Sequence, residues 1–247
     1  MSLTESFEKT GNFLFKYRGH VPLIIFVFAI PVAFLTPYST HRKFEYFVSL
    51  NTLFSVLFVL IGHIIRARTV GRRYLHTSGR NRSHQVANVL NVTGWYSIVR
   101  HPLYLGNAFI WLGISCFLEN GWFVIILMLL FWLYYERIMF VEERFLESKF
   151  GDEFLFWSRK TPAFWPSFKN YKKASVPFSW KIVLKNEYPG MISTMSSFLF
   201  VIIIKRIATH SKIDLNMNEI YFALFILVFG LLFKGIKKYT SLFEPMD

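Results

Sequence analysis

Arg100-His101-Pro102 stands where a basic loop gives way to an apolar run, and two adjacent carboxylates, Glu142-Glu143, stand where the following apolar run ends. Each residue type has a use there. Proline fits the first position of a helix, whose first turn leaves backbone N–H groups free to meet an anion. An imidazole can hold or release a proton near neutral pH. A carboxylate pair can face a cation. Residues 102–118 and 122–141 are apolar and joined by the short turn Glu119-Asn120-Gly121, so they form a helical hairpin. The hairpin returns Glu142 and Glu143 to the edge where Arg100 and His101 begin, and the two polar elements bracket a pocket for a small charged ligand. Ionisable groups at membrane depth are costly and mark function.

The elements that position these groups are membrane helices. The chain has 247 residues, 53% of them hydrophobic and 19% aromatic. Apolar runs at 21–38, 45–65, 102–118, 122–141, 190–204 and 220–233 approach the length that crosses a hydrocarbon layer of about 30 Å, the third and the last two being short. None alternates with the period of two of a barrel strand, so the expected fold is all-α: a polytopic membrane helical bundle of about six (five to seven) spans. Twenty residues of both charge signs precede the first run and no small-residue cleavage site follows it, which favours a retained span over a signal peptide. The single cysteine, Cys116, lies inside an apolar run, so neither a disulfide framework nor a thiolate metal site is expected.

The net charge of +13 is distributed unevenly. With six spans, 23 of the 28 Lys and Arg fall on one face and five on the other, and the positive-inside rule places both termini and both large polar loops in the cytoplasm. That orientation accounts for the excess charge, and with no recognition module in view nucleic acid is not an expected partner. The chain divides into an N-terminal helical pair (1–65), a core of basic loop, hairpin and cytoplasmic helix extension (66–168), and a linker with two further membrane helices (169–247), expected to act as scaffold. Gly151 is the expected cap of the long helix that starts near Trp122. His63 is expected to pack at the end of its span rather than to reach the pocket. No P-loop, G-x-G-x-x-G fingerprint, H-E-x-x-H motif or C-x-x-C pair is present, so a nucleotide-like cofactor would not rest on a Rossmann turn, and no metal ligands are assigned.

Thr93-Gly94-Trp95-Tyr96-Ser97-Ile98-Val99-Arg100-His101-Pro102-Leu103-Tyr104-Leu105-Gly106 resembles the first half of the signature of the isoprenylcysteine carboxyl methyltransferase and phospholipid methyltransferase superfamily. Glu142-Glu143-Arg144-Phe145-Leu146 with Phe150-Gly151 resembles its second half, and Thr161-Pro162-Ala163-Phe164-Trp165-Pro166 its closing segment. The resemblance covers about residues 66–168. It implies a methyltransferase that binds S-adenosylmethionine between the membrane hairpin and its polar flanks. Carried over by position, it implies that His101, Pro102, Tyr104, Gly106, Glu142 and Glu143 line the cofactor site. It further implies that Arg100, His101 and Glu143 serve catalysis and that Arg72, Arg80 and Arg100 face the acceptor.

The stretch Thr77-Ser78-Gly79-Arg80-Asn81 with Gln85-Val86-Ala87 is similar to bacterial members, among them those that methylate a lipid A phosphate. That resemblance implies a lipid or lipid-linked anionic acceptor, a bacterial inner membrane and O-methyl transfer. The six arginines and no lysine of residues 66–82 fit a phosphate, which the guanidinium fork binds better than a point charge does. An isoprenylcysteine carboxylate is the alternative acceptor. Amine N-methylation of a phospholipid, or a non-catalytic scaffold, are remoter alternatives, and no oligomeric partner is indicated.

Overall fold

The computed structural model describes residues 2–19, 24, 26–38, 49–72, 85–210 and 215–240. Eight α-helices follow in order: α1 (Leu3–Lys16), α2 (Ala29–Leu35), α3 (Leu50–Val70), α4 (Pro102–Phe117), α5 (Gly121–Phe150), α6 (Asp152–Lys160), α7 (Trp180–His210) and α8 (Met217–Tyr239). Among the described residues there is no β-strand, and the all-α expectation holds. Four helices, α3, α5, α7 and α8, are long and apolar enough to cross a membrane, and α4 is a shorter apolar helix. Within the run at 21–38, α2 ends before Thr36-Pro37.

Sequence chemistry explains where the helices start. Ser2 and Glu5 form a reciprocal capping box on α1, Ser49 caps α3, Asn120 caps α5, and Asn216 with Glu219 caps α8. Each satisfies backbone N–H groups that the first turn would leave bare. Gly151 ends α5 at φ +51 and ψ −124, a conformation that only glycine adopts readily, and the chain turns there straight into α6.

The hairpin α4–α5 is the centre of the bundle, and α3 crosses α4 at unusually short range. A Cβ on Gly62 would stand 2.5 Å from the Gly106 carbonyl oxygen, and one on Gly113 would stand 2.5 Å from the Ser55 carbonyl oxygen. Small residues that let backbones meet are how helices gain packing energy in lipid, where apolar burial alone gives little. Around this seam, α1, α3, α4 and α5 share an aromatic-rich core that includes Phe15, Ile65, Leu105, Phe131, Tyr135 and Ile138. The amphipathic α1 lies along the second half of α5. Its Gly11 packs against the Arg137 carbonyl, and the Arg137 guanidinium sits 4.3 Å from the Phe7 ring.

The tail helices are fixed by charge at two levels. Lys205 of α7 is fully buried, donating to the Phe117 carbonyl at 3.2 Å and pairing with Glu119 at 3.1 Å. This lies at the α4–α5 turn, the end of the hairpin opposite Arg100. Next to it Arg206 pairs with Glu219 of α8 at 2.7 Å. The run expected at 190–204 is part of a much longer helix that begins at Trp180, which brings Glu187 into the bundle. Most large side chains of α8, Leu224, Phe225, Leu227 and Leu231 among them, point away from the protein, as suits a lipid-facing helix.

The α3–α4 seam makes a checkable prediction. Gly62→Ala forces a methyl into the Gly106 carbonyl and the Ile110 side chain, and overpacking of this kind costs about 1–3 kcal/mol. The thermal midpoint of the detergent-purified protein should fall by several degrees. Gly121→Ala, with nothing within 4 Å of the added Cβ, should leave it unchanged.

Candidate active site

His101 is the N-cap of α4, yet its side chain makes no capping bond, so the ring is free to point across the hairpin. Three backbone hydrogen bonds hold this strip in place: Arg100 N donates to the Pro162 carbonyl (2.9 Å), His101 N to the Ala163 carbonyl (3.2 Å) and Ser167 N to the Ile98 carbonyl (2.8 Å). The closing segment 161–167, delivered by α6, therefore braces 98–101 from behind. Trp157 of α6 adds a bond from its indole N–H to the Tyr96 carbonyl at 3.0 Å.

Glu142 and Glu143 are neighbours in sequence but have different jobs in space. Glu143 is bidentate to Arg100, at 2.9 Å to Nε and 3.0 Å to Nη2, and its Oε1 stands 2.8 Å from His101 Nε2. Arg100 Nη1 donates to the Ser158 and Thr161 carbonyls, both at 2.8 Å. All three nitrogens of that guanidinium are thus engaged within the protein. Glu142 faces the other way. Its Oε1 accepts from the Tyr104 hydroxyl at 2.7 Å, with Arg18 at 3.7 Å, while Oε2 lies 3.6 Å from His101 Nδ1, beyond hydrogen-bond range. Tyr104 stacks on the His101 ring, with centroids 5.6 Å apart and planes 15° from parallel.

The His101 ring is buried between the two carboxylates. Burial alone would lower its pKa, but the close contacts and charges of Glu142 and Glu143 outweigh it and raise the pKa above the ordinary value of 6.5. The two carboxylates thus favour the protonated imidazole and clamp it in place.

Glu142 and His101 open onto a cavity of about 440 Å³, whose wall also includes Pro102, Tyr104, Tyr135 and Trp157. This lies within the size range of small-molecule sites, about 300–1,000 Å³. Opposite them, Arg66 of α3 is bidentate to Glu187 of α7, at 2.7 and 2.9 Å, and donates to Asn107 Oδ1 at 2.6 Å. Asn107 in turn donates to the Tyr135 hydroxyl at 2.8 Å, and Tyr135 packs on Tyr104 with ring centroids 4.6 Å apart. A polar chain thus runs from the tail helix to Glu142.

Of the residues expected at the cofactor site, His101, Pro102, Tyr104 and Glu142 come together on the cavity wall. Glu143 stands behind the wall, bonded to two residues that form it. Gly106 is also off the wall. It backs the α3–α4 crossing, where a Cβ would meet Arg66 and the Gly62 carbonyl. Arg100 reaches the wall with its donors already occupied. Arg72 lines a different cavity, beside Arg68 and Trp95, and Arg80 lies outside the described residues. His63 bonds to Thr194 of α7 at 3.1 Å and plays no part in the wall.

Arg18, Asn107, Tyr135 and Glu187 were not anticipated. Glu187 carried a signal, being the sole acidic residue between Glu153 and Asp214 and preceding an apolar run by a few residues. Among the described residues, no three His, Cys, Asp or Glu side chains gather as metal ligands.

Known proteins give this arrangement a context. The sequence profile of the phospholipid methyltransferase family matches residues 50–153. The chain is 32% identical over 167 residues to the cobalt-zinc-cadmium resistance protein CzcN of Cupriavidus metallidurans, spanning 66% of this chain and 70% of that one. It is 33% identical over 167 residues to the nickel-cobalt-cadmium resistance protein NccN of Alcaligenes xylosoxydans xylosoxydans, spanning 66% and 71%. It is also 32% identical over 126 residues to the protein-S-isoprenylcysteine O-methyltransferase of Schizosaccharomyces pombe, spanning 46% of this chain and 51% of that enzyme. The chain belongs to the isoprenylcysteine carboxyl methyltransferase and phospholipid methyltransferase superfamily. It is an integral membrane methyltransferase. No solved structure matches it. The profile ends in the first turn of α6 and well before α7, so Glu187 and the brace from 161–167 lie outside the part of the superfamily that it covers.

Two predictions follow from the electrostatics. Because the folded protein raises the His101 pKa, the stability this residue adds is complete below pH 6.5 and is lost as pH rises through the raised value. The gap in thermal midpoint between wild type and His101→Asn should therefore close as pH rises. Glu187→Gln leaves the Arg66 cation without its counter-charge, and breaking such a buried pair costs about 3–5 kcal/mol. Thermal melting should show that loss, and Lys173→Gln, an exposed change of similar size, should not.

Proposed function

We propose that this superfamily member transfers a methyl group from S-adenosylmethionine to an ionised oxygen of a membrane amphiphile, with a lipid phosphate such as that of lipid A favoured as acceptor. The observation that carries the reading is the division of labour between the carboxylates. Glu142 lines a cavity of suitable size with one oxygen on the Tyr104 hydroxyl and the other 3.6 Å from His101 Nδ1, and a carboxylate there complements a cationic donor. Tyr104, Tyr135 and Trp157 supply aromatic walls for an adenosine. The residues present fit the donor. S-Adenosylmethionine supplies, when bound, an activated methyl on a sulfonium.

The chain's own residues align the two partners and exclude water, which is what an in-line displacement chiefly demands. His101 and Glu142 touch the donor, Tyr104 orients Glu142, and Pro102 starts the helix that sets the wall. Arg100 and Glu143 are positioning residues, because they act through His101 and the brace. Arg72 faces the acceptor.

His101 lies between two carboxylates that favour its protonated form. An acceptor that arrives already ionised therefore fits best, which favours phosphate or carboxylate oxygen over an amine. The likeness to a protein-S-isoprenylcysteine O-methyltransferase favours a second reading, a carboxylate acceptor. With both termini cytoplasmic in a bacterial inner membrane, the cavity opens at the cytoplasmic surface, where the basic residues crowd.

Membranes incubated with methyl-labelled S-adenosylmethionine should pass label to extracted lipid, and mass spectrometry should show the increment of one CH2. Label confined to the aqueous phase would overturn the proposal. Mild base separates the acceptors, since a carboxyl ester releases methanol and a methylated phosphate does not. His101→Ala should abolish turnover while the protein stays folded.

A further inference from the structure

Arg68 and Arg72 are not used by the cavity just described. Arg68 follows Ile64 by four residues on α3, so the two share one face, and Arg72 stands in the turn just past the helix, on the same cavity. Leu53, Leu57 and Leu60 continue the same face back along the helix, and all of them, like Ile64, are well exposed. On a membrane helix such a stripe meets lipid. It ends in two guanidiniums.

Those guanidiniums border a second cavity of about 410 Å³, which Ile64, Trp95, Phe168 and Tyr171 help to enclose. No carboxylate lines it. Among the described residues, neither arginine has an acidic partner, and Arg72 has only the Phe178 ring, 5.9 Å away. Aromatic side chains with one polar end sit at headgroup depth in membranes. Tyr96 belongs to the walls of both cavities, so this second chamber adjoins the proposed donor site.

We propose that this cavity binds the anionic headgroup of a single membrane amphiphile, its phosphate forked by Arg68 and Arg72 and its tail lying along Leu53, Leu57, Leu60 and Ile64. Resting on the methyl-transfer reading, the occupant is the acceptor lipid. Two forked guanidiniums suit a phosphate with several free oxygens. The apolar stripe selects an amphiphile over a soluble anion. Arg100 is relieved of this task by Glu143.

The test uses the full chain in neutral detergent, with dioleoylphosphatidic acid as probe and bound lipid counted by native mass spectrometry. S-Adenosylmethionine binding is measured separately by calorimetry. Arg68→Gln with Arg72→Gln should weaken phosphatidic acid binding at least about tenfold, as loss of charge-assisted hydrogen bonds predicts, with donor binding unchanged. Arg144→Gln with Lys149→Gln removes equal charge elsewhere and should retain wild-type lipid binding. Glycerol phosphate and dioleoylglycerol should each bind far more weakly than phosphatidic acid.

The site is overturned if the Arg68 and Arg72 double variant binds lipid like wild type. It is equally overturned if the control pair loses as much, or if glycerol phosphate alone binds as tightly. Should the double variant not fold, Arg68→Gln alone carries the test, because its side chain is exposed, and unchanged binding again refutes the site. Lipid held by wild type without any donor binding would sink the methyl-transfer reading and leave this site standing.

Discussion

Two carboxylates side by side near the apolar part of a membrane helix are unstable unless cations meet them, and the protein brings cationic groups to both. Arg100 and His101 neutralise Glu143, while Arg18 and the far side of the His101 ring approach Glu142. Because these cations come from other segments, the charge requirement fixes tertiary structure as well as chemistry. The start of α4 cannot shift along α5 without stranding Glu143, and α1 cannot leave without removing Arg18. The Ser158 and Thr161 carbonyls accept from Arg100 Nη1 and tie the end of α6 to the same point. With all of this satisfied, Glu142 still lines the cavity.

Much of this was legible in the residues. The hairpin, its turn at Glu119-Asn120-Gly121, the cap at Gly151 and the meeting of His101 with the end of α5 all follow from apolar run lengths and helix-terminus chemistry. A one-dimensional pattern shows which edge a group reaches. It does not show which way the side chain turns there. That is why Glu142 and Glu143 read as equivalent in the chain and separate only in space. It is also why Gly106 read as part of the pocket when its missing Cβ serves the crossing with Gly62.

Contacts between segments distant in sequence were illegible for a different reason. The pair Arg66–Glu187 joins residues 121 apart, and neither position has a local partner that would announce the other. An apolar window also locates where a span is buried, not where its helix begins. The ten residues of α7 before Gly190 read as linker, yet they carry the carboxylate that steadies the far wall of the cavity. Arg18 was hidden similarly, since an amphipathic lead indicates a surface helix but not the surface it covers.

The two buried charge pairs of α7 sit near opposite margins of the bundle. Glu187 and Lys205 are 18 residues apart, and at the rise of a helix that is about 27 Å, close to the thickness of a hydrocarbon layer. A helix pinned at both ends in this way behaves as a fixed rod. It cannot lean to match a bilayer that is too thick or too thin without breaking one of its pins. Mismatch must instead be taken up by the surrounding lipid, since α8 too is joined to the rod near both ends, through Arg206 with Glu219 and through Phe233 stacked on Tyr188.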